Sequence, residues 1–247
     1  MNHADYTPNS VVIEPIAYIR SCYPERFGIP RQSGLVPSAQ ADIVFAATEF
    51  NQLALRGLEQ CSHIWVMFWF HDQPFQTAKP LVQPPRLGGR KTMGVYATRS
   101  PNRPNPIGLS AVELVAITSV KDTWQLRVRG GDFLDGTPVL DIKPYIPYAD
   151  AIATAATWAS TAEIPLPVTW SEGAIATLHH HYTHPSTQGM IQDLITETIA
   201  QDPRPAHERG QDGKPGQEWN LQVREFSVFW AVVQQQALVT RLIKRPS

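Results

Sequence analysis

The sequence predicts a mainly β protein: a closed barrel or sandwich over residues 10–150, then a smaller α+β domain over residues 163–245. Three observations lead there. Short apolar or alternating runs, rich in β-branched and aromatic residues, succeed one another through the first half at fairly regular spacing. An Ala/Thr-rich segment from Ala149 to Ala162 interrupts the pattern and reads as a linker. Beyond it, two helical patterns precede a further run of strands.

Taken in order, strands are expected at Val11–Ile19, Ala41–Ala46, His63–His71, Met93–Arg99, Leu109–Ser119, Thr123–Gly130 and Thr137–Tyr145, with turn residues between them. One helical patch, Gln52–Glu59, lies among them. The run IWVMFWF (Ile64–Phe70) is the longest apolar stretch and is far too short to span a bilayer, so it reads as a buried strand. Past the linker, Ser171–Tyr182 and Ser186–Gln201 read as amphipathic helices, each opening on a serine suited to N-capping. QDPRPAHERG breaks the chain, and Glu218–Lys244 reads as two or three strands of a meander. Many short strands and few helices disfavour a doubly wound sheet.

The 247 residues are 43% hydrophobic, enough for a real core in one large domain or two modest ones. A net charge of −1 excludes a globally basic nucleic-acid binder or membrane-surface protein. Cys22 and Cys61 form no CxxC or ligand-like spacing and read as buried thiols of a reducing compartment. Met1–Ser10 is polar and lacks the layout of a signal peptide, so a soluble cytoplasmic protein is expected. Charge is nevertheless uneven. No acidic residue falls between Asp72 and Glu113, whereas Lys79, Arg86, Arg90, Lys91, Arg99 and Arg103 all do. That excess of cations points to an anionic partner at this place. Inside it lies ATRSPNRPNPIGLS (Ala97–Ser110), in which Pro101, Pro104 and Pro106 stiffen a loop carrying Arg99, Arg103 and Asn105. A plain turn needs only a Gly, an Asn or one Pro; this loop is built to hold something.

Neither a GxGxxG nor a GxxxxGK[ST] motif is present, so a Rossmann-type or P-loop site is unsupported, and HExxH and GxSxG are also missing. His179, His180 and His181 are consecutive on a predicted helix, so their side chains diverge and no metal site is expected. Other clusters stay open. Arg31-Gln32-Ser33, between Pro30 and Gly34, is a rigid polar loop or an ordinary turn. His71-Asp72 ends the aromatic strand and either faces a cleft or caps a surface. Asp132-Phe133-Leu134-Asp135-Gly136-Thr137 offers two carboxylates, backbone amides and an apolar plug in one tight turn. Asp141, Lys143 and Tyr145 share one side of a strand, as catalytic groups or as a salt-bridged face. With arginines, carboxylates and no nucleophile in evidence, chemistry borne by a bound cofactor fits better than covalent catalysis.

Taken together, PRQSGL (Pro30–Leu35), RGLEQCSHIWVMFWFH (Arg56–His71), PPRLGGRKTMGVYATRSPNRPNPIGLS (Pro84–Ser110), DFLDGTPVLDIKPYIPYAD (Asp132–Asp150) and QDPRPA (Gln201–Ala206) closely resemble the TsaA-like, or TrmO, family. The resemblance implies a tRNA methyltransferase that uses S-adenosyl-L-methionine to methylate N6 of N6-threonylcarbamoyladenosine beside the anticodon, at position 37 in tRNA numbering. It implies a non-Rossmann β-barrel that binds the cofactor, a homodimer, and a C-terminal domain that helps to hold tRNA. By matching motifs, the cofactor would be bound by Arg31, Gln32, Ser33, His71, Asp72, Arg99, Leu109 and the turn of Asp132, Phe133, Leu134, Asp135, Gly136 and Thr137. Arg86, Arg103, Asn105, Lys143 and Arg204 are the candidates for holding the tRNA. His71, Asp135, Asp141 and Tyr145 are candidate acceptors of the proton that leaves the methylated nitrogen. One departure stands out: His207 follows the QDPRPA block where bacterial members usually have Tyr. The alternative reading is a non-catalytic RNA-binding or cofactor-sensing protein on the same fold.

Overall fold

The computed structural model describes residues 11–72 and 78–246; the Met1–Ser10 segment lies outside the described residues. The first half consists of β1 (Ala17–Ser21), β2 (Gln40–Ala46), a short helix α1 (Glu49–Ala54), β3 (His63–Trp69), the two-residue strands β4 (Leu81–Val82) and β5 (Met93–Gly94), the long β6 (Ile107–Val120), β7 (Thr123–Arg129) and β8 (Pro138–Pro144). Six of these strands form a closed ring in the order β1-β2-β7-β6-β3-β8, with β8 pairing back onto β1. Every pairing in the ring is antiparallel.

The ring follows from the period of two. Ala17 and Ile19, Ala41, Ile43 and Phe45, Ile64, Val66 and Phe68, Val112, Leu126 and Val128, and Val139 all point inward and are buried together. Their neighbours along each strand face outward. Phe68 packs edge-on against Phe133, with ring centroids 5.1 Å apart, so the apolar member of the 132–137 turn plugs this interior. Gly108 lies directly opposite Phe68 across β3 and β6. A Cβ there would stand 2.2 Å from the Phe68 ring, so the glycine of the RPNPIG block is the space that this ring occupies.

Closing an antiparallel ring also sorts the loops. β1, β3 and β7 end, and β2, β6 and β8 begin, at the same rim. The connections spanning residues 22–39, 70–106 and 130–137 therefore emerge side by side, however far apart they are in sequence. The opposite rim carries the β2–β3 connection with α1, the tight β6–β7 turn and the exit from β8.

The C-terminal half contributes α2 (Pro147–Asp150), β9 (Val168–Trp170), α3 (Glu172–His181), α4 (Pro185–Ala200), β10 (Trp219–Val223), β11 (Phe226–Val233) and β12 (Gln236–Lys244). The expected meander is three strands, and β9 joins its edge in parallel with β12. Ser171 caps α3 as expected, its hydroxyl accepting from the Ala174 amide at 3.1 Å. Ser186 does not cap α4. Pro185 occupies the first turn, where its fixed φ and missing N–H suit a helix start, so the cap falls on His184. Ile191, Leu194, Ile195 and Ile199 pack α4 onto Leu221, Val228 and Trp230 of the sheet.

Other expectations shift. Val11–Ile19 yields a strand only from Ala17, and His71 lies in a turn beyond β3. Met93–Arg99 is a two-residue strand followed by a 3-10 turn at Val95–Ala97, because its partner is only the equally short β4. The helix expected at Gln52–Glu59 runs instead from Glu49 to Ala54, capped by Thr48, with a separate 3-10 turn at Leu58–Gln60. Cys22 is buried and its thiol is pushed up to about 11 by burial, whereas Cys61 is only half-buried. The packing does not break cleanly at the linker: Cys22, Tyr23, Val36 and Ala39, all from the 22–39 connection, belong to the C-terminal core.

Replacing Gly108 by Ala should cost about 1–3 kcal/mol, because the Phe68 ring is wedged between Phe70 and Phe133 and has nowhere to go. Urea unfolding of the variant measures this; an unchanged midpoint would show that the ring yields.

Candidate functional site

The three connections at one rim bring most of the candidate residues together. Gly34 donates its amide to the Gly130 carbonyl at 2.8 Å, joining the first connection to the third. Both glycines have positive φ, a backbone conformation that other side chains rarely adopt, so it is the turn geometry rather than lack of space that calls for glycine at each. Gln32 accepts from the Arg99 guanidinium, joining the first connection to the second. The Ser33 amide and the Arg99 charge both act on Asp132. His71 lies against Gly136, its Nε2 3.8 Å from where a Cβ would be. Asp72 pairs with Arg26 at 2.7 Å in solvent, an interaction worth little to stability.

The 132–137 turn is held from below. The Ser21 amide donates to Asp135 at 2.8 Å and the Ser21 hydroxyl to the Phe133 carbonyl at 2.7 Å. The Asp135 and Gly136 amides donate to the Tyr23 and Ile19 carbonyls, both at 2.8 Å, and the Thr137 hydroxyl closes the turn on Leu134. Asp132 accepts from the Ser110 hydroxyl at 2.6 Å. Burial raises the Asp132 carboxyl above its ordinary value, against the opposing pull of Ser110, Arg99 and nearby amides. Ser110, a buried serine inside the ring, carried no signal in the sequence that would single it out.

The stiff loop is as ordered as its prolines imply. Arg103 and Ile107 donate their amides back two residues, to Pro101 and Asn105, at 2.8 and 2.7 Å. The Asn102 and Ser100 amides donate to the Ser100 and Thr98 hydroxyls. The Asn102 carbonyl takes the Lys79 amide at 3.1 Å, and Pro106 takes that of Phe70 at 2.9 Å. Arg103 is half-buried, one nitrogen 3.4 Å from the Thr98 carbonyl, and Asn105 is exposed.

Two family models match this chain: the tRNA-methyltransferase O N-terminal domain over residues 18–151 and the TrmO C-terminal domain over residues 163–245. The chain belongs to the TrmO family. It is 42% identical over 229 residues to the Escherichia coli protein named tRNA (adenine(37)-N6)-methyltransferase, covering 91% of this chain and 94% of that one. It is 43% identical over 220 residues to Pseudomonas aeruginosa RcsF, whose name includes the words S-adenosylmethionine-dependent methyltransferase, covering 88% of this chain and 91% of that one. A crystal structure of TrmO from Pseudomonas aeruginosa superimposes with a TM-score of 0.76 at 35% identity, covering 97% of this chain and 100% of that one.

Not every candidate joins the cluster in this TrmO-family chain. Leu109 is half-exposed on the outer face of β6, directly opposite Met67, which in turn faces Asp141 of β8. Asp141 and Lys143 form a solvated pair at 2.7 Å on that outer face, as the salt-bridged reading had it. Tyr145 lies past the far end of β8, roughly 20 Å along the strand from the 132–137 turn, and packs on Trp65 and His63. Arg86 is turned onto the linker, donating to the Ala159 carbonyl at 3.2 Å. Arg204 is 1% exposed and its guanidinium is used up inside the fold, so it presents no surface to a tRNA. His179, His180 and His181 form the last turn of α3, with the His180 and His181 rings edge-on at 5.3 Å, and among the described residues no group of three or more His, Cys, Asp or Glu could hold a metal.

Because burial raises the Asp132 carboxyl, its charge destabilises the fold at neutral pH, and that penalty fades as pH falls and the carboxyl takes up a proton in the folded state. Asp132→Asn should therefore melt higher than the parent at pH 7, on the order of a few degrees, with the gap closing toward pH 4. Paired melting curves across that range check it; a lower melting point at pH 7 would contradict the sign.

Proposed function

We propose that this chain methylates N6 of adenine 37 in tRNA with S-adenosylmethionine, and that its acceptor is the threonylcarbamoylated base. Similarity over nearly the full length to the Escherichia coli tRNA (adenine(37)-N6)-methyltransferase is the observation that carries the reaction class. The family is S-adenosylmethionine-dependent, and the residues at the rim suit that molecule. Arg31 and Arg99 are cations matched to a carboxylate, Asp132 and Asp135 are acceptors for ammonium and ribose hydroxyl groups, and the half-buried Leu134 offers apolar surface to a purine. The raised, desolvated Asp132 carboxylate is a group whose charge a bound cation would relieve.

When bound, the cofactor supplies an electrophilic methyl group on a sulfonium and leaves as a neutral thioether. What the chain contributes is placement. The acceptor nitrogen is a weak nucleophile, with its lone pair delocalised, so in-line approach at about 3–3.5 Å is the main requirement. A rim tied together by backbone hydrogen bonds before any ligand arrives meets it without an ordering cost. The nitrogen gains a methyl and gives up one proton. Of the four candidate acceptors, His71 and Asp135 stand at the rim, and the proton passes to one of these or to water.

The threonyl carboxylate accounts for the acid-free segment. Arg103 uses one nitrogen weakly on Thr98 and keeps the rest of its fork for an anion. Asn105 stands exposed next to it, and Lys79, Arg90 and Lys91 provide charge for the phosphate backbone. The ring would work as an S-adenosylmethionine-binding barrel in a homodimer, with the half-exposed Leu109 beside Met67 as apolar surface for a second copy. A tRNA substrate makes the cytoplasm the place of action; no helix among the described residues is long and apolar enough to cross a membrane.

The test is methyl-labelled S-adenosylmethionine with two matched tRNAs, one carrying the threonylcarbamoyl group and one lacking it. Label on the modified tRNA alone is expected. Label on both would remove carboxylate recognition, and none on either, with the cofactor still bound, would favour the cofactor-sensing alternative. Arg103→Ala should raise KM for the modified tRNA about 10–100-fold, the value of a charge-assisted hydrogen bond, and leave cofactor affinity unchanged.

A further inference from the structure

Among the described residues Arg204 is the charged side chain that the fold buries, at 1% exposure, and its contacts run toward the rim. Its guanidinium grips the Asp202 carboxylate through two parallel hydrogen bonds, 2.7 and 2.8 Å long. A third nitrogen donates to the Gln211 carbonyl at 2.9 Å, and the cation lies over the Trp219 ring at 5.1 Å. Asp202, just past the end of α4, has φ +44, a left-handed conformation that aspartate and asparagine tolerate better than other non-glycine residues. The carbonyl so oriented accepts from Arg31 at 3.1 Å. Arg31 is pinned at its other nitrogen by Glu163, at 2.7 Å. The Arg31 carbonyl accepts from the Gln32 amide group, which leaves the Gln32 oxygen facing Arg99.

We infer that Arg204 and Asp202 are positioning residues: their buried ion pair aims the Asp202 carbonyl at Arg31 and so sets the Arg31–Gln32–Arg99 arrangement in the cofactor loop. Arg204 itself touches no ligand. Two features separate this from a merely structural role. The bidentate grip acts on the Asp202 side chain, whereas it is the Asp202 backbone carbonyl that meets the rim. And Arg31 takes both of its side-chain partners, Glu163 and Asp202, from beyond the ring. The inference rests on the reading that Arg31 belongs to the S-adenosylmethionine site.

Calorimetric titration of S-adenosylmethionine into the full chain tests it without turnover. Asp202→Asn keeps a side chain that tolerates the left-handed backbone, and Arg204→Lys keeps the charge but loses the fork. Each should weaken cofactor binding about tenfold, as should Arg31→Ala. In the Arg31→Ala background, Asp202→Asn should add nothing further, because its effect is transmitted through Arg31. Methyl transfer should show a raised KM for the cofactor and an unchanged KM for tRNA. If Arg31→Ala binds the cofactor normally, the reading of the rim fails and this inference with it. If Arg31→Ala weakens binding while folded Asp202→Asn and Arg204→Lys do not, the reading of the rim stands and the inference alone is overturned. A raised KM for tRNA with unchanged cofactor affinity in Arg204→Lys would likewise overturn it, in favour of direct tRNA contact.

Discussion

The connection between β1 and β2 is shared by two cores, and the geometry of the rim depends on that. Tyr23 is fully buried, with its hydroxyl 3.1 Å from that of Thr198 on α4, and burial drives its phenol well above the ordinary value. Cys22, Val36 and Ala39 lie in the same C-terminal core, so the connection is anchored near both ends. Polar contacts fill in between. Glu197 accepts from the Ser38 amide at 2.8 Å and from its hydroxyl at 3.1 Å, Gln201 donates to the Leu35 carbonyl, and the Arg224 amide donates to the Cys22 carbonyl at 2.7 Å. Residues 31–34 cannot shift without opening a core that also stabilises α4 and the second sheet. A long surface connection, ordinarily among the most mobile parts of a fold, is here held like a core element.

Given that anchor, the closed antiparallel ring does the rest. Strand direction alone brings the other two connections to the same rim, and the hydrogen bond from Gly34 to Gly130 ties the third of them to the anchored one. What gathers there is costly to a fold, above all a desolvated carboxylate at Asp132 that the Arg99 charge and nearby donors only partly offset. Such groups stabilise nothing by themselves, and the two hydrophobic cores on either side carry their cost. A site built this way is ordered before its ligand arrives, which matters most where the chemistry depends on placement rather than on a reactive side chain.

What the sequence made legible was whatever depends on local pattern. The ring strands at Ala41–Ala46, His63–Trp69 and Thr123–Arg129 show in alternation and β-branching because each buries one face. The Ser171 cap shows because capping is a contact over three residues. Met93–Arg99 misleads because a strand needs a partner, and β4 offers only two residues. The site divides on the same line. Arg99, Asp132 and the 132–137 turn stand out in their own segments, but Ser110, Ser21, Glu163 and Asp202 serve the rim through partners that are, for the most part, distant in sequence. Asp141, Lys143 and Tyr145 share a face as their spacing requires; it is the outer one, which the period of two cannot distinguish from the inner.

The same distinction resolves the Gln201–His207 stretch, where this chain departs from the family pattern. Arg204 faces inward and is enclosed, whereas the His207 side chain is 73% exposed, its Nε2 3.7 Å from Glu208 Oε1. Residues three apart in one short block thus have different obligations. Exchanging the inner one disturbs an ion pair, the Asp202 carbonyl that Arg31 uses and the loop beyond it. Exchanging the outer one removes no buried contact, because the His207 side chain is largely exposed. The bidentate geometry at Arg204, by contrast, is a demand of the fold itself, and lysine cannot meet it.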